Sequence, residues 1–159
     1  MTNADKSASK RPHILLVEDN AGDEFLVLDA FEQASFPYEM EVVRNGEAAL
    51  QRLRGEGEFA GQPVPDLVLL DLNLPKLDGR DVLRTVKGDA DLAQVPVLIL
   101  TTSSSPDDVD ICYALHANAY MTKPFEVDGY EAIVQSIGAF WFNVATLPHP
   151  MQHGSRVSS

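Results

Sequence analysis

Leu67-Val68-Leu69-Leu70-Asp71-Leu72-Asn73-Leu74-Pro75-Lys76-Leu77-Asp78-Gly79 is the stretch that decides how this chain is read. It opens with four consecutive apolar residues. Such a run suits a strand buried on both faces, as in a parallel sheet covered by helices. The run stops at an acid, Asp71. The stretch closes on Asp78-Gly79, a turn that leads into a helix.

Similar apolar runs lie on either side, at residues 14–17, 38–43, 95–100 and 119–121. The run at 38–43 alternates Met40 and Val42 with Glu39 and Glu41, as a half-exposed edge strand does. Helical periodicity fills the gaps, over residues 23–34, 46–54, 80–87, 106–116 and 127–144. In the first of these, Phe25, Leu28, Phe31 and Ala34 recur at three-residue steps and are expected on the inner face. Ser105-Pro106-Asp107-Asp108 offers an N-cap serine, a first-turn proline and acids at the positive helix end. Strand and helix therefore alternate five times. That order predicts an α/β fold: a five-stranded parallel sheet, doubly wound as (βα)5 in the flavodoxin-like order 2-1-3-4-5.

The 159 residues fit a single domain. The net charge is −12, from 24 acids against 12 Lys and Arg. That balance disfavours nucleic acid, whose phosphates need clustered cations. A single cysteine, Cys112, excludes an internal disulfide and is expected to be a small buried residue. No signal peptide and no membrane span are read, so a cytoplasmic location is expected. Residues 1–11 read as a disordered tail, 12–144 as the domain, and 145–159 as a C-terminal extension.

Sites in doubly wound sheets form beyond the carboxyl ends of the strands. The five runs deliver a consistent set there. The first ends in Glu18-Asp19-Asn20, the third in Asp71, the fourth in Thr101-Thr102 and the fifth in Thr122-Lys123-Pro124. Clustered carboxylates offer hard oxygen ligands for Mg²⁺, and packing them without a cation is costly. Asp71 can serve as a nucleophile towards phosphorus, Thr101 as a donor to a phosphoryl oxygen and Lys123 as its ion-pair partner. Asp19 and Asn20 also suit helix capping, and Thr101 also suits an ordinary strand end.

The sequence resembles the response-regulator receiver family over about residues 12–144. The matching pieces are Leu15-Leu16-Val17-Glu18-Asp19-Asn20, Leu69-Leu70-Asp71 through Asp78-Gly79, Leu98-Ile99-Leu100-Thr101-Thr102 and Tyr120-Met121-Thr122-Lys123-Pro124-Phe125. The resemblance implies that Asp71 is the phosphoacceptor and that Glu18, Asp19 and Asp71 hold Mg²⁺, with a backbone carbonyl from Asn73. It implies that Thr101 and Lys123 contact the phosphoryl group, that Tyr120 is an aromatic switch, and that the Lys123–Pro124 peptide is cis. The aromatic end of the last helix, Phe140-Trp141-Phe142, is similar to that of small regulators serving bacterial phytochromes. This implies a phytochrome-type sensor histidine kinase as partner, and a homodimer through the last helices and the C-terminal extension. Three adjacent residues cannot all face one way on a helix, so these aromatics divide between core packing and a partner surface.

A phospho-switch without its own output module is therefore expected, acting through protein contacts and not as a turnover enzyme. A phosphate sink is a variant of that reading. A Mg²⁺-dependent phosphatase with an Asp nucleophile is the alternative, but such enzymes carry a second acid two residues on, where this chain has Asn73. A nucleotide-binding domain would want a glycine-rich loop after the first strand. Residues 19–23 are acidic instead.

Overall fold

A computed structural model describes residues 11–148. The expected N-terminal tail, apart from Arg11, and the extension beyond Pro148 lie outside the described residues. The elements run β1 (His13–Val17), α1 (Ala21–Gln33), β2 (Glu39–Val43), α2 (Gly46–Arg54), β3 (Leu67–Leu70) and α3 (Gly79–Gly88), with a short 3₁₀ turn at Gly57–Phe59. They continue with β4 (Val97–Thr101), α4 (Pro106–Ala114), β5 (Ala119–Thr122), α5 (Val127–Ala139) and a π-helical turn at Phe140–Val144. The strands form one parallel sheet in the order β2-β1-β3-β4-β5, as the alternation predicts.

Because strand side chains alternate, each apolar run feeds two cores at once. Leu15, Val17, Val68, Leu70, Val97 and Ile99 face one side, where Leu53, Val82, Leu83 and Cys112 close over them. Ile14, Leu16, Leu67, Leu69, Leu98 and Leu100 face the other, against Val27, Phe31, Tyr130, Val134 and Ile137. Fully burying one such side chain contributes about 1.5–3 kcal/mol. The central strands are almost wholly buried, and they position the residues at their carboxyl ends.

Local chemistry sets where the helices begin. The side chain of Asn20 caps α1 and that of Asn45 caps α2. Asp78 caps α3, and Ser105 caps α4 with Pro106 in its first turn. Gly79 is needed for close approach: a Cβ there would strike the Asp71 carbonyl oxygen and the Leu72 Cα. Its N–H donates to Leu72 O at 2.9 Å, which folds the chain sharply behind Asp71.

The structure departs from the sequence reading at four points. The inner face of α1 is Val27, Ala30 and Phe31, while Phe25 is 65% exposed. Three-residue steps fall behind the 3.6-residue turn by about 60° each, so Phe25 rotates off the face that Phe31 occupies. The final helix changes to π geometry at Phe140 instead of continuing to 144. There Phe142 stacks on Phe36 with ring centroids 5.5 Å apart, and Phe140 is exposed. Glu41 on the edge strand is half-buried, drawn in by Arg52 at 2.7 Å. Finally, no peptide bond is cis among the described residues, so Lys123–Pro124 is trans. Trans is the lower-energy form of an X–Pro bond by about 0.5–1 kcal/mol. Lys123 reaches inward from it all the same, its N–H held by Thr101 O at 2.7 Å.

Candidate functional site

Four strand ends meet above the middle of the sheet. At the end of β1, the Glu18 N–H donates to Val43 O at 3.0 Å, and the side chain, 1% exposed, turns into the site. Its Oε2 accepts from the Asn20 N–H at 3.1 Å. Asp19 follows, exposed at the rim. At the end of β3, the Asp71 N–H donates to Val17 O at 3.1 Å, so the acid extends the β1–β3 ladder by one step. Asp71 is 6% exposed, and its Oδ1 faces the Asn73 N–H at 3.4 Å. Thr101 closes β4, wholly buried, and its Oγ1 has no hydrogen-bond partner in the structure. A buried donor without a partner costs roughly 1–3 kcal/mol, which an incoming acceptor would recover.

Lys123 is the centre of the arrangement. Its ammonium lies 2.8 Å from Glu18 Oε1, 2.9 Å from Asp71 Oδ2 and 2.8 Å from Asp23 Oδ2. Burial works to lower the lysine pKa, but hydrogen bonds to Asp23, Glu18 and Asp71 outweigh it and hold the group above its ordinary range. Glu18 shows the reverse balance. Burial pushes its carboxyl up to about 7, with the charge of Asp71 adding to the shift and the bond to Lys123 opposing it. Glu18, Asp19 and Asp71 each offer a carboxylate oxygen, all within 4.8 Å of one another. Three hard oxygens at that spacing fit a divalent cation.

All the carboxyl-edge residues expected from the sequence are thus gathered: Glu18, Asp19, Asp71, Thr101 and Lys123, with Asn73 one residue past Leu72 in the same loop. Asp23 joins them without having been anticipated. The sequence puts it where the acidic loop 19–23 meets the helical segment 23–34, and in the structure it sits in the first turn of α1, whose cap Asn20 accepts its N–H at 2.9 Å. A usable signal existed: an acid one turn into the helix that follows the central strand is carried to the mouth of the site by topology.

Tyr120 lies apart from this cluster, half-buried on β5. Its hydroxyl donates to Ser103 O at 2.8 Å, in the loop after β4. Ser103 Oγ in turn donates to Asp108 at 2.6 Å, and Arg80 donates to the same carboxylate at 2.8 Å. Ser103 and then Arg80 hold the Asp108 carboxyl below its usual range. This chain of bonds joins β5, the β4–α4 loop and α3. The sequence assigns Asp108 only to the positive end of its helix and gives Arg80 no role, because their contact joins residues 28 apart.

Residues 14–135 match the model of the response regulator receiver domain. The chain belongs to that family. Among proteins, this receiver is 44% identical over 135 residues to response regulator Rcp1 of Synechocystis sp., an alignment covering 85% of this chain and 92% of Rcp1. Among solved structures, it superposes with a TM-score of 0.84 on the phosphorylated cyanobacterial phytochrome response regulator RcpA. The two are 45% identical, over 88% of this chain and 100% of the other. The Mn²⁺-bound form of Rcp1 matches with a TM-score of 0.82 and 43% identity, over 87% of this chain and 99% of the other. No described helix of this receiver is long and apolar enough to cross a membrane.

Proposed function

We propose that this receiver accepts a phosphoryl group on Asp71 from a phytochrome-type sensor histidine kinase, with Mg²⁺ as the assisting ion. The observation that carries the reading is the convergence on one buried ammonium. Lys123 draws Asp71 and Glu18 together beside Thr101, whose hydroxyl still lacks a partner. In the step itself, a carboxylate oxygen of Asp71 attacks phosphorus. A P–O bond forms, the P–N bond to the donor imidazole breaks, and that nitrogen keeps the electron pair and takes a proton. Thr101 donates to one phosphoryl oxygen, and Lys123 neutralises charge on another. Glu18, Asp19, Asp71 and the backbone carbonyl of Asn73 are the groups that would hold Mg²⁺, which when bound supplies further charge neutralisation.

The phytochrome link rests on likeness to the phytochrome response regulator RcpA, over 88% of this chain and the whole of the other. The receiver then occupies residues 12–144, and 145–159 form its extension. Output runs through protein contacts, with Tyr120 as the switch residue and a homodimer formed by the last helices and that extension. Phe140, 51% exposed, and Val144, 72% exposed, favour that surface. The decisive experiment offers the chain to the phytochrome kinase of its own source with Mg²⁺ and ATP. Transfer of label to the chain, and none to Asp71→Asn, supports the reading; no transfer to the unaltered chain contradicts it. For the dimer, Phe140→Asp with Val144→Asp should lower the sedimenting mass, and an unchanged mass contradicts that interface.

A further inference from the structure

Lys123 has three donor hydrogens and three carboxylates around it, so its bonding is filled in the unphosphorylated chain. The three partners do not have the same fate. Asp71 is the group that phosphorylation converts to an acyl phosphate, and its carboxylate charge goes with the reaction. Glu18 belongs to the oxygen cluster suited to a divalent cation and is drawn towards that ion. Asp23 is outside that cluster and is not the acceptor. It is anchored independently, in the capped first turn of α1, where the helix dipole favours an acid. Its contact with Lys123 joins residues 100 apart in sequence across the top of the sheet.

We propose that Asp23 is a positioning residue: its carboxylate keeps the Lys123 ammonium aimed into the site while Glu18 and Asp71 are engaged elsewhere. Lysine is a flexible cation on a four-carbon stem, so one fixed partner removes much of the freedom that would let it swing out towards solvent. At 27% exposure the Asp23 side chain sits at the mouth, where it holds the lysine from the solvent side without occupying the acceptor position. This inference rests on the receiver reading above. It adds that Asp23 acts only through Lys123.

Two measurements test it. In the first, the rate of phosphoryl gain from acetyl phosphate at saturating Mg²⁺ is read by intact mass for the unaltered chain, Asp23→Asn, Asp23→Glu, Lys123→Ala and the Asp23→Asn/Lys123→Ala double variant. Asp23→Asn should slow labelling about tenfold, Asp23→Glu should recover most of the loss, and Asp23→Asn should change nothing once Lys123 is alanine. An unchanged rate in Asp23→Asn overturns the proposal, as does an equal loss in both backgrounds. The second measurement needs no metal and no turnover. Modification of Lys123 by an amine-acylating reagent, followed by peptide mass, should be several-fold faster in Asp23→Asn; an equal rate overturns the proposal. Should the unaltered chain take no phosphate from any donor, the receiver reading itself fails. A labelled chain indifferent to Asp23 removes only this inference.

Discussion

Two buried cations anchor this molecule, and their surroundings differ in one respect. Arg52, wholly buried near the amino ends of β1 and β2, donates Nε to Glu41 at 2.7 Å and Nη1 to Pro63 O at 3.0 Å. His13 approaches the same glutamate at 3.4 Å. One guanidinium meets one carboxylate, and the charges balance. At the carboxyl end of the sheet, Lys123 meets Glu18, Asp23 and Asp71, with Asp19 beside them. There the negative charge is in excess. A balanced pair holds a framework together in charge, although Arg52 Nη2 is itself a buried donor without a partner. An unbalanced cluster of this kind fits a cation, and the buried Thr101 Oγ1 fits an acceptor oxygen.

The largest effect should come from breaking the balanced pair. Arg52→Ala leaves a half-buried glutamate and a carbonyl without their partner, and should cost about 3–5 kcal/mol in denaturant unfolding. Per folded molecule, phosphoryl labelling should be unchanged, since Arg52 is remote from Asp71. If labelling falls while folding holds, the two regions are not independent.

Adding a divalent cation should come next. Mg²⁺ at about 100 times its dissociation constant should stabilise the chain by roughly 2.7 kcal/mol. Arg52→Ala should respond by the same increment, and Asp19→Asn by much less. An equal response in Asp19→Asn would remove the carboxylates from the account.

Glu18→Gln should separate stability from function with a smaller change. The Glu18 carboxyl is raised from 4.5 to about 7, so the fold retains a proton there that the unfolded chain gives up. The stability due to that proton is fully present below about pH 4.5 and is lost as pH rises through about 7. Glu18→Gln should therefore flatten that pH slope and stabilise the metal-free protein near neutral pH by about 1–2 kcal/mol, while weakening Mg²⁺ binding. A metal-free slope identical to that of the unaltered chain would contradict it.

The smallest effect belongs to the half-buried Arg80–Asp108 contact at the rim of the sheet. Asp108→Asn should shift the thermal midpoint least of all these changes, because surface ion pairs contribute little. Hydrogen bonds from Ser103 and then Arg80 hold the Asp108 carboxyl below its ordinary range, so its pairing is present above that range and lost as pH falls through the lowered value. Amide exchange in the β4–α4 loop, faster in Asp108→Asn, would show what the contact restrains.

The sequence revealed features that are local and missed those that depend on distant partners. The apolar runs at 14–17 and 67–70 declare buried strands by themselves, and the polar residues that stop them are by topology the residues of the site. Asp71, Glu18 and Lys123 were legible for that reason. Asp23 is less legible, because its partner stands 100 residues away and only its place one turn into the helix after the central strand points to the site. Nothing in the sequence marks Arg52 as a core residue, because charge on a helix normally faces water; only Glu41 and the Pro63 carbonyl bring it inside. Phe25 was placed inward by a three-residue step that the helix does not keep.

The excess of carboxylates around Lys123 is what the proposed phosphoryl transfer to Asp71 would use. The most direct test is the intact mass of the chain after incubation with Mg²⁺ and acetyl phosphate. The account predicts a gain of one phosphoryl group, absent without the metal and absent in Asp71→Asn. A chain that gains no mass from acetyl phosphate or from a phosphorylated histidine kinase, or an Asp71→Asn variant that gains it as readily, would contradict the account.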